Sequence, residues 1–192
     1  MSGSILRDAN GEPIQAASQE SVRLLDHAVT SYARARRDTR ERLATTLERD
    51  PGCVMAHCLD GYLYTLSSKR DALPRARQAL ARAANAALGR PLARREQLHV
   101  SALDAWSSGD MRGAARVWDT VLDECPRDLI ALKVSQFVLS YLGESERMRD
   151  RIARVLPAWD VDDPGYGFAL GCFAYALEES GERCVFSGGV DL

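Results

Sequence analysis

The sequence of 192 residues has no apolar run of the ~20 residues that a membrane-spanning helix needs. Its first residues, Met1 to Ala9, lack the basic, apolar and small-residue order of a secretory leader. Five cysteines are an odd number and too few for a disulfide framework, so a reduced, cytoplasmic setting is expected. Only three histidines are present, His27, His57 and His99. HExxH, CxxC, a glycine-rich phosphate loop and the Gly-x-Ser-x-Gly elbow are all missing. Lysine is almost absent, Lys69 and Lys133 standing against 23 arginines. Valine, isoleucine and threonine are sparse, which leaves little material for strands. Charged residues make up 27% with both signs mixed, which argues against a disordered tail.

What is abundant is alanine, 27 residues, together with leucine, arginine and glutamate, all strong helix formers. The composition predicts an all-α protein. Residues 1–96 carry 16 basic and 11 acidic groups and residues 97–192 carry 9 and 16, which reads as two differently charged solvated surfaces.

A repeat of 34 residues organises the chain. Leu98 and Leu132, Gly109 and Gly143, Trp118 and Ile152, Val121 and Val155, and Leu122 and Leu156 are each 34 apart, and the two glycines precede Asp110 and Glu144. This is the tetratricopeptide (TPR) period, a pair of antiparallel helices joined by a tight turn. Gly109 makes the turn, Ala114 lets the helices cross closely, Trp118 fills the gap to the next unit, and Pro126 closes the unit. Pro51 closes an earlier unit, in which Gly61 and Tyr64 follow. From Pro51 to Pro91 is 40 residues, which predicts extra residues at Ser67–Asp71. Helices are predicted at 19–35, 39–49, 53–67, 71–88, 92–107, 111–124, 128–142, 145–156 and 166–180, with Ser18 capping the first. The expected architecture is an α-solenoid of about nine helices across residues 18–181. Residues 1–17 are expected to form a flexible N-terminal segment. Residues 182–192, with two adjacent glycines and no period, are expected to form an irregular tail, read as a truncation or a changed reading frame after Gly181.

Four segments resemble the tetratricopeptide repeat protein 38 family: Arg94-Arg95-Glu96-Gln97-Leu98-His99-Val100-Ser101-Ala102, Asp128-Leu129-Ile130-Ala131-Leu132-Lys133, Tyr141-Leu142-Gly143 and Met148 to Trp159. Met55-Ala56-His57 is similar to an earlier stretch of that family. The resemblance runs from about Ser21 to Gly181 and implies a helical TPR solenoid. Members of the family are more than twice as long and carry later His-rich helical segments that are absent here.

Cys53, His57 and Cys58 form the sole Cys/His cluster. Cys58 points away from the face shared by Cys53 and His57, so buried thiols and a packed histidine are expected and no metal or other cofactor. Arg95 and His99 share a helix face and could bind a carboxylate. The other reading is that Arg95 and Glu96 lock adjacent repeats through ion pairs with Arg149 or Asp150. Ser101 is two residues from His99 and cannot face it, which argues against a triad and against an enzyme. The arginines from Arg34 to Arg42 are interrupted by Asp38 and Glu41 and have no interleaved aromatics, so no nucleic-acid contact is expected. The helices' apolar faces are accounted for by packing, and no membrane contact is expected.

The expected function is a non-catalytic protein-interaction scaffold whose concave groove takes a peptide or partner protein, lined by His57, Tyr64, Arg95, His99 and Gln136. The alternative is a truncated part of a longer enzyme or of a small-molecule or metal-binding protein. Self-association through the last helix is a further expectation.

Overall fold

In the computed structural model the structure describes residues 4–67, 69, 72–89 and 92–181. The described chain is mostly helical: α1 (Gln19–Ala33), α2 (Thr39–Arg49), α3 (Val54–Leu66), α4 (Ala72–Ala87), α5 (Arg94–Ser107), α6 (Met111–Glu124), α7 (Leu129–Tyr141), α8 (Ser145–Val155) and α9 (Tyr166–Glu179). These fall within two residues of the predicted limits, and three of the starts have a side-chain cap. The Ser18 hydroxyl accepts from the Ser21 amide at 3.1 Å, Asp110 from Gly113 at 2.7 Å and Asp128 from Ala131 at 2.8 Å. Gly109 and Gly143, 34 residues apart, both take positive φ, 94° and 71°, in the turns that reverse the chain. The extra residues expected at Ser67–Asp71 fall partly outside the described residues, as does the tail 182–192.

Each helix packs first on its sequence neighbour, and α3 also packs on α5, α7 on α9, and α6 on α8. The centre is an aromatic cluster: Trp118 stands edge-on to Tyr62 and to Trp106 at 5.5 Å, and Tyr62 and Trp106 lie 6.1 Å apart. Gly61 is glycine because a Cβ there would meet the Leu103 methyls at 2.5 Å. This is the close approach of α3 to α5.

Two departures from the sequence reading matter. Residues 1–17 do not form a loose segment: β1 (Ser4–Arg7) and β2 (Pro13–Ala16) make an antiparallel hairpin with Ser4 opposite Ala16 and Arg7 opposite Pro13. It packs on α1 and α5 and buries Ile14 and Ala16. The fold is therefore all-α only with this two-stranded exception. Second, α1 contacts α7, far along the chain. A row of pairs touching only successive neighbours would not bring these helices together. The odd-numbered helices surround an interior, and the hairpin occupies one end of it.

Candidate functional site

The odd-numbered helices present two ends with different chemistry. At their N-terminal ends lies a sealed polar lock. Arg95 Nε donates to Asp128 Oδ2 at 2.6 Å, and Arg95 Nη1 to Asp8 Oδ2 in the hairpin loop at 2.7 Å. His99 Nε2 lies 2.9 Å from the same Asp128 oxygen. The Tyr62 hydroxyl donates to the His99 carbonyl at 2.9 Å, sits 3.0 Å from His99 Nδ1, and accepts from Trp118 Nε1 at 3.2 Å. His99 and Asp128 are fully buried and Arg95 nearly so. Burial pushes the Asp128 carboxyl up, but Arg95 and His99 outweigh it and hold the group well below the usual carboxylate range.

The hairpin is tied down by further carboxylates. Glu96 accepts from the Gln15 amide at 3.1 Å and the Ala93 amide at 3.0 Å. Asp26 accepts from Ala9, Asp50 from Ala17, and Glu12 from the Arg127 amide. Burial pushes Glu96 up to about 7 and Asp26 up to about 6, against the lowering effect of the amides they accept from. Helix N-termini carry partial positive charge, so an acidic plug suits this end.

At the other end is an open cavity of about 800 Å³. The α1–α2 turn supplies Arg36 and Arg37, the start of α2 supplies Arg40, and the last turn of α3 supplies Leu63 and Leu66. Lys133, Gln136 and Phe137 enter from α7, and Phe168, Gly171, Cys172 and Tyr175 from α9. Among the described residues four cations line it and no carboxylate does. Arg36 pairs with Asp38, and Arg40 with Asp60 while covering the Tyr64 ring at 4.2 Å. Among the described residues Lys133 and Arg37 have no carboxylate partner. Lys133 Nζ stands 6.0 Å from the centre of the Tyr32 ring. Gln136 Nε2 donates to the Cys172 carbonyl at 3.1 Å. Burial pushes the Cys172 thiol up to about 11, so it is no thiolate nucleophile at neutral pH.

These positions correct the expected groove. Arg95 and His99 face each other and Asp128 inside the protein, because the hairpin covers them. His57 is also buried, its Nε2 donating to the Pro51 carbonyl at 2.9 Å. Tyr64 is half-buried beneath Arg40 beside the cavity, and Gln136 alone of the five lines it. The ion pairs of Arg95 run to Asp8 and Asp128, and Asp150 pairs with its neighbour Arg149. Where pairs do join α6 and α8, Arg147 and Arg151 reach Asp119. Cys53 and Cys58 are buried free thiols beside the packed His57. No group of three His, Cys, Asp or Glu among the described residues could hold a metal. No described helix is long and apolar enough to cross a membrane.

The cavity residues the sequence reading passed over are Lys133, Arg37, Tyr32 and Phe168. Lys133 did leave a signal: it is the lone charged residue on the helix Leu129–Tyr141. No protein-family model matches the chain, and no solved structure matches it.

Proposed function

We propose that this chain is a non-catalytic binding module built on TPR-type helix pairs, and that it receives its ligand in the cavity between the C-terminal ends of α1 and α3, the latter part of α7 and the first two-thirds of α9. The 34-residue period and the resemblance to the tetratricopeptide repeat protein 38 family support the architecture. One observation carries the functional reading: a cavity of about 800 Å³, within the usual range for ligand sites of roughly 300–1,000 Å³, lined by aromatic and aliphatic side chains with a few convergent polar groups. The relay-like Arg95–Asp128–His99–Tyr62 arrangement is sealed from solvent and serves as a structural lock, which favours binding over catalysis. An extended peptide has no through-groove to follow, since the hairpin fills the far end. A partner enters from the cavity mouth.

The test uses the neutral fluorescent probe N-phenyl-1-naphthylamine. Saturable one-to-one binding to the wild type is expected, with loss in Gly171→Phe. A Cβ at Gly171 meets nothing within 4 Å, so the new ring can fill the cavity without disturbing the core. Binding that survives the substitution, or no binding to a folded wild type, would sink the reading.

A further inference from the structure

Resting on that reading, we propose that the cavity takes a small amphiphilic monoanion, a free aliphatic carboxylate, with Lys133 as its counter-ion and the α3, α7 and α9 side chains around its tail.

The charges at the site point this way. Among cavity cations Arg36 and Arg40 are engaged by Asp38 and Asp60, and both are solvent-exposed. Arg36 follows the C-terminus of α1, whose carbonyls carry partial negative charge that a cation offsets. Lys133 is different. It projects from the middle of α7, is half-buried, and has an aromatic ring and the Cys172 side chain as its surroundings. A half-withdrawn ammonium with no carboxylate among the described residues is what an incoming anion would complete. No acidic side chain among the described residues lines the cavity, whereas four cations do, which favours an anionic ligand over a cationic one. One inner cation calls for one negative charge, and Arg37 at the exposed rim supports the same sign.

The walls specify the rest of the ligand. Leu63, Leu66, Phe137 and Phe168 line the same cavity as Lys133 and give it apolar wall. Several polar groups near it are engaged: Gln136 Nε2 donates to the Cys172 carbonyl, and the Ser140 and Tyr175 hydroxyls bond each other at 2.9 Å. An unbranched hydrocarbon chain asks for no hydrogen bonds and matches such a wall. A polypeptide would bring backbone amides, and the described lining holds no carboxylate to accept from them.

Displacement of N-phenyl-1-naphthylamine separates this inference from the reading beneath it. Decanoate is expected to displace the probe from the wild type more effectively than 1-decanol or decyltrimethylammonium. Lys133→Met should still bind the neutral probe and 1-decanol, but bind decanoate about tenfold more weakly, the effect of losing one charge-assisted contact. Lys133→Arg should restore it. Equal displacement by decanoate and 1-decanol overturns the inference. So does an unchanged decanoate affinity in Lys133→Met. Displacement by an acidic peptide or by phosphatidylglycerol vesicles at lower concentration than by decanoate overturns it too. In each of those cases the cavity remains a binding site. Failure of the neutral probe itself removes both.

Discussion

The two ends of the odd-numbered helices carry opposite chemistry. At the N-terminal ends the charged groups are matched, Asp128 alone serving Arg95, His99 and the Ala131 amide, while the Gln15 side chain and Asn10 Oδ1 are buried without a hydrogen-bond partner among the described residues. At the C-terminal ends the lining is mainly apolar, yet Lys133 stands without a carboxylate partner among the described residues. A dense polar cluster whose charges are paired and sealed holds a fold together. A sparse polar set in an apolar, open space is available to a ligand. The number of conspicuous residues is therefore a poor guide to a site, and unmet bonding capacity with access to solvent is a better one.

The sharpest way to break this comparison is to remove charge from the sealed end. Asp128→Asn keeps an oxygen for the Ala131 amide but leaves the Arg95 and His99 partners short of their anion. Unpairing a buried charge typically costs about 3–5 kcal/mol, and urea unfolding should show a loss of that order. Probe binding in the cavity should persist wherever the variant is folded. Loss of binding with unchanged stability would mean that the two ends are not separate.

The pH dependence of stability should expose the hairpin's anchors. Burial raises Glu96 from an ordinary 4.5 to about 7, so the folded state holds this proton to higher pH than the unfolded chain does. Its contribution is complete below about 4.5 and is lost as pH rises towards 7. Asp26, raised to about 6, acts in the same direction. Asp128, held low, acts oppositely and loses its contribution only in strong acid. The wild type should therefore lose stability from pH 4.5 to 7 relative to Glu96→Gln, with a slope of at most about 1.4 kcal/mol per pH unit from this group. Parallel curves for the two proteins in that interval would refute the assignment.

A smaller loss is expected from Tyr62→Phe. It strands the Trp118 indole N–H and the Tyr62 partners on His99, at a cost of about 1–3 kcal/mol by denaturant titration. A neutral result would mean that the aromatic cluster, with its edge-on packing, carries this region without the hydroxyl.

How much of this could be read from the sequence differs by element. The helices could, because apolar spacing, Ser18, Asp110 and Asp128 caps and the 34-residue glycine period all act locally. The hairpin could have been suspected from Asn10-Gly11, a turn dipeptide with Gly11 at φ 81°, but strands of four residues carry too short a pattern to stand out. What hid Arg95 and His99 was a long-range event: Asp8 lies 87 positions from Arg95. Helical spacing placed the two side chains on one face correctly and could not say what would cover that face. Gln136 and its neighbour Lys133 were within reach, since a lone cation on a largely apolar helix is itself unusual.

The smallest effect bears most directly on the open end. Gly171 lies inside α9 with ordinary helical φ, and a Cβ added there meets nothing. Glycine in a helix interior is less stable than alanine by roughly 0.5–1 kcal/mol, so Gly171→Ala should raise the unfolding free energy by about that amount. A position where alanine fits and stabilises, yet glycine stands, is one where space has been kept at a cost in stability. Gly167, which also lines the cavity and also has open space at its Cβ, gives an internal control on the same helix. If Gly171→Ala stabilises the fold and weakens binding of the neutral probe, the open end trades stability for volume. If it destabilises, α9 packs more tightly against its surroundings than the empty space at Gly171 indicates, and the cavity is smaller in solution than its 800 Å³.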